Sequence, residues 1–137
     1  MSHIRTLIVD DHETMRRILR AVLDGYFELE IAGEAGNGEE ALQEVRRLQP
    51  DLVIMDISMP LLDGLSAAEL IKKFQPKTQI LIFSMHYVKE FVEAAKRLEL
   101  NGFVSKLQGG TGLLEAVDAV VHGRKYFPPE GSAVGIH

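Results

Sequence analysis

Hydrophobic and polar residues follow two distinct patterns along this chain. Five short segments are rich in apolar residues and are bounded by turn-prone residues, which is typical of β-strands. Three of them, the first, third and fourth, are continuous apolar runs, as expected for strands buried on both faces. In the second, apolar residues alternate with glutamates, which indicates a half-exposed edge strand. The predicted strands are residues 5–9, 27–31, 52–55, 80–83 and 102–104.

The segments that follow these strands have a helical pattern, with apolar residues at i, i+3, i+4 and i+7. In the first of them, Met15, Ile18, Leu19 and Val22 share one face. Ser66 is the expected N-cap of the third helix. Five strands alternating with five helices predict an α/β fold, a doubly wound (βα)5 flavodoxin-like domain with a parallel five-stranded sheet. The edge pattern of the second strand predicts the strand order 2-1-3-4-5.

Composition limits the classes of protein that remain. The 137 residues include 46% hydrophobic residues, no cysteine and a net charge of −5. We expect one domain over residues 1–125 and a linker or disordered tail over residues 126–137, where prolines and glycines replace helical spacing. Cysteine-based metal sites are excluded, and the chain has no basic stripe for direct nucleic-acid binding. The chain also has no apolar run that could span a membrane, so we expect a cytoplasmic protein.

Three carboxylates lie at the ends of two predicted core strands. Asp10 and Asp11 follow the first strand, and Asp56 follows the third. In the predicted strand order these strands are neighbours at the point where the chain reverses direction, which is where ligands of open α/β sheets bind. Like charges in contact repel by about 4 kcal/mol at an effective dielectric of about 20. A cation is therefore expected to hold the three acids together.

Two further polar residues are predicted at the same edge of the sheet. Ser84 ends the fourth strand and Lys106 follows the fifth. Carboxylates, a hydroxyl and an ammonium group suit phosphoryl transfer to a carboxylate, which depends mostly on positioning and electrostatics. Mg2+ is the expected cation because its preferred ligands are oxygens. The five histidines have no metal-ligand spacing and are expected at the surface.

The chain resembles the receiver domains of two-component response regulators from about residue 4 to about residue 127. The residues that carry this resemblance are Asp10, Asp11, Asp56, Ser84 and Lys106, each at the end of its strand and in the family's order. The resemblance implies that Asp56 accepts a phosphoryl group from a sensor histidine kinase in a phosphorelay. It implies that Asp11 binds Mg2+ directly, that Asp10 acts mostly through water, and that the Ser58 carbonyl is a further ligand.

The resemblance also implies a switch. Ser84 and Lys106 would contact the phosphoryl group, and Phe103 corresponds to the family's rotating aromatic residue, expected to turn inward from a partly exposed rotamer. Ser58 and His86 correspond to the positions that flank the attacking water during dephosphorylation. The Asp-Asp-His-Glu stretch at residues 10–13 is similar to the LuxR-type class, which implies an output in transcription regulation and a homodimer on phosphorylation.

Two other interpretations of the acidic residues stay open at this point. A small aspartyl-phosphate hydrolase of the haloacid-dehalogenase type uses the same chemistry, but its Asp-x-Asp motif differs from the adjacent Asp10-Asp11. A stand-alone or degenerate receiver that serves as a binding module is a second alternative. If the chain is a receiver domain, we expect it to catalyse only its own phosphorylation and dephosphorylation and not to be an enzyme in any other sense. The family's usual proline after the lysine is replaced by Leu107, and the glycines 109, 110 and 112 predict a loosely started last helix.

Overall fold

A computed structural model describes residues 3–128. Five parallel strands and five α-helices alternate, with a short 3-10 helix before the last α-helix. The elements are β1 (Ile4–Val9), α1 (Glu13–Leu23), β2 (Leu29–Ala35), α2 (Gly38–Leu48), β3 (Leu52–Met55), α3 (Gly64–Phe74), β4 (Gln79–Ser84), α4 (Lys89–Arg97), β5 (Gly102–Ser105), η1 (Lys106–Gln108) and α5 (Gly109–Val121). The strand order β2-β1-β3-β4-β5 confirms the predicted flavodoxin-like topology.

The sheet separates two hydrophobic cores. Side chains alternate between the two faces of a strand, so in β3 Val53 and Met55 pack into one core while Leu52 and Ile54 pack into the other. The first core contains residues of α2, α3 and α4, and the second contains residues of α1 and α5. All four residues of β3 are buried because helices cover both faces. This burial explains the continuous apolar runs of the central strands.

The second strand differs in its bounds from the prediction. It lies at an edge of the sheet, as expected, but it runs from Leu29 to Ala35. Phe27 precedes it in a loop and is 69% exposed. The pairing of Ile4 with Leu29 places Phe27 before the first paired residue. Pairing with β1 therefore decides where the strand starts, and the apolar alternation alone placed it two residues too early.

The start of α3 also differs from the prediction. Asp63, and not Ser66, is the N-cap of α3, because its carboxylate accepts hydrogen bonds from the Ser66 backbone nitrogen and hydroxyl at 2.9 and 3.0 Å. The glycine-rich start of α5 follows the 3-10 helix η1, whose N-cap Ser105 accepts a hydrogen bond from Leu107 N. The 3-10 turn gives the segment before Gly109 a defined backbone path.

The chain beyond α5 packs against the domain as far as the structure describes it. Tyr126 forms a parallel bridge with Gly102, and its carbonyl accepts a hydrogen bond from Phe103 N at 2.8 Å. Phe127 packs against the first core, with Lys96 Nζ 5.5 Å from its ring centre. The start of the predicted tail is thus tied down, and residues 129–137 lie outside the described part. Within residues 3–128, every helix is too short or too polar to cross a membrane.

Candidate functional site

The ends of β1 and β3 bring two acidic residues together. Val9 pairs with Met55 at the end of these adjacent strands, and Asp56 N donates a hydrogen bond to Val9 O at 3.1 Å. Asp10 and Asp56 follow directly, and they are only 1% and 5% exposed. Burying two charged carboxylates on neighbouring strand ends is costly unless a positive charge lies between them.

Lys106 supplies that charge. Its Nζ atom lies 2.7 Å from Asp10 Oδ2 and 3.1 Å from Asp56 Oδ2, and its side chain is 8% exposed. Burial by itself would lower the pKa of Lys106, but the hydrogen bonds and charges of the two carboxylates outweigh it and raise that pKa above its ordinary value. Lys106 is therefore charged at neutral pH. It bridges residues that are 96 and 50 positions away in the sequence.

Asp11 lies beside this pair and keeps one oxygen without a partner. Its Oδ1 atom is buried and accepts no hydrogen bond, although its side chain as a whole is 27% exposed. His12 Nδ1 is 3.0 Å from this oxygen, but the two atoms are not aligned for a hydrogen bond. A buried oxygen without a donor is costly, and a bound cation would remove that cost. The carboxylates present, all hard oxygen donors, fit Mg2+.

His12 is a member of the site that the sequence reading treated only as a surface residue. It is indeed exposed, with 70% of its side chain accessible. Its backbone nitrogen donates to Asp10 Oδ1 at 2.9 Å, and one ligand atom each of Asp10, Asp11 and His12 lies within 4.8 Å of the others. The sequence feature that could have predicted this is the position of His12 directly after two acids. The turn that follows β1 brings the side chains of all three residues close together.

Ser84 and Phe103 are both fully buried. Ser84 ends β4, and its Oγ accepts a hydrogen bond from His86 N at 3.0 Å. Phe103 is 0% exposed, and its ring centre is 5.6 Å from that of Tyr87. The expected partly exposed rotamer of Phe103 is wrong for this conformation. Tyr87 and the α4 side of the first core cover the ring, so burial of its apolar surface already holds it inside.

The loop after β3 orients Asp56 and lines a cavity. Ile57 N donates to Asp56 Oδ1 at 2.7 Å, which orients the carboxylate. Gly64 approaches so closely that a Cβ atom there would overlap the Asp56 carbonyl oxygen. A cavity of about 430 Å³ adjoins this loop. Its lining includes Ser58 and His86, and Ser58 is exposed directly beyond the acid.

Residues 6–118 match the family model for the response regulator receiver domain. The chain therefore belongs to the receiver domains of response regulators, and its fold and its acid-rich strand ends agree with that family. Receiver domains generally bind Mg2+ at this acidic pocket and are phosphorylated by histidine kinases.

The curated relatives include transcriptional regulators and methylesterases. The chain is 32% identical to the transcriptional regulatory protein MctR of Rhizobium johnstonii, over 90% of this chain and 58% of that protein. It is 42% identical to a protein-glutamate methylesterase/protein-glutamine glutaminase of Syntrophomonas wolfei, over 82% of this chain and 32% of that protein. The chain thus spans between about a third and three fifths of the length of these relatives.

Solved structures with this fold include LuxR-family regulators. A LuxR-family response regulator from Aurantimonas sp. is similar with a TM-score of 0.88 and 30% identity, covering 94% of this chain and 92% of that one. The isolated receiver domain of RcsB from Salmonella enterica, solved with the phosphomimetic BeF3−, gives a TM-score of 0.86 and 25% identity, covering 93% and 94%. The chain is therefore a response-regulator receiver with LuxR-type regulators among its structural neighbours.

Proposed function

We propose that Asp56 is the phosphoryl acceptor of this receiver and that phosphorylation switches an output. The carrying observation is the bridge from Lys106 Nζ to both Asp10 and Asp56. A buried carboxylate that accepts a hydrogen bond from a charged lysine is held in one orientation, as an attacking group must be. The arrangement at the strand ends supports this role better than a purely structural one, since burying two acids without a use is costly.

The chemistry follows from these charges. A carboxylate oxygen of Asp56 attacks the phosphorus of a phosphohistidine, the new O–P bond forms as the N–P bond breaks, and the electron pair leaves with the imidazole. We expect Lys106 to neutralise one phosphoryl oxygen. We expect the hydroxyl of Ser84, which ends the neighbouring strand β4, to donate to another.

Asp10, Asp11 and Asp56 are the residues that would hold Mg2+, with the Ser58 carbonyl as the proposed further ligand. Mg2+ supplies positive charge that lowers the repulsion between the acids and the incoming phosphoryl group. The Asp11 Oδ1 atom supports this assignment because it is buried and accepts no hydrogen bond from the described residues. Asp10 already bonds Lys106 and His12 N, which favours its contact with the ion through water.

The proposed partner is a sensor histidine kinase, and the proposed output is transcription regulation through a LuxR-type DNA-binding domain. Similarity to MctR and to LuxR-family structures supports that output. A methylesterase output is the second candidate, because the identity to the Syntrophomonas wolfei methylesterase is higher, at 42%. In either case we propose that the receiver itself catalyses only its own phosphorylation and dephosphorylation. A homodimer on phosphorylation is proposed as the switched state.

Intact-mass spectrometry after treatment with acetyl phosphate and Mg2+ tests the acceptor. We expect one added phosphoryl group in the wild type and in the control Asp24→Asn, an exposed acid far from the site, and none in Asp56→Asn. Equal labelling of Asp56→Asn would refute the assignment. Sedimentation with and without beryllofluoride tests the homodimer, and an unchanged mass would reject that part of the proposal.

A further inference from the structure

Arg16 connects the acidic site to two other elements. It lies in the first turn of α1, and its Nη1 atom donates to the carbonyl oxygen of Asp10 at 2.6 Å. Its Nε atom donates to Glu34 Oε1 on β2 at 2.9 Å. The side chain is only 20% exposed, so both bonds are partly protected from water. One guanidinium group thus joins α1, the end of β1 and β2.

The Asp10 carbonyl belongs to the peptide that links Asp10 to Asp11. Asp10 N still donates to Ala35 O at 3.0 Å, in line with the sheet, but the chain leaves the sheet directly afterwards. A peptide at such a turn loses the regular strand partners that would fix its plane. The orientation of this peptide sets the direction of both flanking side chains. A donor on its oxygen therefore controls where both carboxylates point.

Glu34 holds Arg16 in place for this contact. Its second oxygen accepts a hydrogen bond from Arg20, one turn further along α1. Burial alone would raise the pKa of Glu34, but the hydrogen bonds and charges of Arg20 and Arg16 outweigh it and keep the pKa below its ordinary value. The glutamate is therefore ionised at neutral pH, and a charge-assisted bond of this kind is stronger than a neutral one.

We propose that Arg16 is a positioning residue for the cation site: through the Asp10 carbonyl it sets the Asp10–Asp11 peptide so that both carboxylates face one ion. This inference rests on the proposed function for the ion itself. In this role Arg16 acts on the peptide that carries the ligands and not on the ion itself. It acts in the way of the outer hydrogen bonds that orient metal ligands, whose loss typically weakens metal binding about 10- to 100-fold.

Neighbouring arginines provide matched controls. Arg20 shares Glu34 with Arg16, and no hydrogen bond joins it to Asp10 among the described residues. Arg17 is 75% exposed, and among the described residues it forms an ion pair only with Glu13. Replacing Arg20 removes the same kind of ion pair from the same helix. A loss specific to Arg16 would then reflect the Asp10 contact and not a general weakening of α1.

Titration calorimetry of the full chain with MgCl2 measures the effect, since the protein contains no tryptophan to report binding by fluorescence. We expect Arg16→Ala to bind Mg2+ about 10-fold or more weakly, with Arg17→Ala and Arg20→Ala close to the wild type. Arg16→Lys should recover part of the affinity, because an ammonium group can still donate to the Asp10 carbonyl. The melting temperatures in EDTA report stability separately.

The possible outcomes distinguish a positioning role of Arg16 from a merely structural one. If Arg16→Ala and Arg20→Ala lose stability in EDTA alike and bind Mg2+ alike, Arg16 is merely structural and the inference is wrong. If Arg16→Ala is too unstable to measure, Arg16→Met decides, because it keeps the apolar stem but cannot donate to the Asp10 carbonyl. A wild-type affinity of Arg16→Met, together with wild-type amide shifts of residues 10 and 11, would overturn the inference. A wild-type protein that binds no Mg2+ at millimolar concentration would instead reject the proposed cation site, and this inference with it.

Discussion

Replacement of Lys106 by methionine tests the electrostatics of the site most directly. The two carboxylate oxygens that contact Nζ at 2.7 and 3.1 Å become neighbours without a cation between them. Because both touch one nitrogen, they lie at most about 6 Å apart, and at an effective dielectric of about 20 they repel by about 3 kcal/mol. This agrees with the range of about 3–5 kcal/mol for breaking a buried ion pair.

The expected stability loss is therefore about 3 kcal/mol at pH 7 without metal. For a domain of this size, a loss of that magnitude lowers the melting temperature by about 10 °C. Chemical denaturation and differential scanning calorimetry in EDTA measure it. Lys77→Met is the matched control, because Lys77 is exposed, and we expect it to melt like the wild type.

Mg2+ should stabilise Lys106→Met more than the wild type, since the ion replaces the missing positive charge and binding to the folded state alone raises stability. The pH dependence has a definite sign. The pKa of Lys106 is raised in the folded state, so its contribution is fully present below its unfolded pKa of 10.5 and is lost as the pH rises through the folded pKa. The gap between wild type and mutant should persist from pH 7 to pH 9 and narrow above pH 10.5. If Lys106→Met were as stable as Lys77→Met in EDTA, the stabilising role of the ion pairs of Lys106 with Asp10 and Asp56 would be refuted.

Three further predictions concern the loops around the site. Leu61→Asn should raise the free energy of unfolding by about 1 kcal/mol, because Leu61 has a φ of 71° and is 76% exposed, and asparagine tolerates that backbone better; a lower melting temperature would contradict this. Gly64→Ala should cost about 1–3 kcal/mol or more, since its Cβ would overlap the Asp56 carbonyl, and unchanged urea denaturation would show that the loop yields freely. Substitution of Ser58 or His86, which line the cavity at the loop after Asp56, should change the lifetime of the phosphorylated state several-fold with little change in melting temperature; unaltered lifetimes in both variants would exclude that role.

Much of the fold was readable from local sequence patterns. The continuous apolar run over residues 52–55 and the alternating run before residue 31 correctly distinguished a central strand from an edge strand. That distinction predicts the strand order, which in turn places Asp10 and Asp56 side by side. Local patterns were less successful at the ends of elements. Asp63 and Ser66 are both good capping residues, and only the path of the loop from Asp56 to Gly64 decides which one caps α3.

The sequence by itself determined which chemical groups meet at the edge of the sheet, because parallel strands deliver their last residues to one side. Only the tertiary structure decided how these groups pair. The bridge of Lys106 to Asp10 as well as Asp56, the unpartnered Asp11 oxygen and the contact of Arg16 with the Asp10 carbonyl depend on loops and helices that approach from distant parts of the chain. The burial of Phe103 has the same origin, since Tyr87 and α4 must fold over the sheet before the ring is covered. Strand periodicity reports the face on which a residue lies, whereas its partners are set by contacts between segments that the sequence keeps far apart.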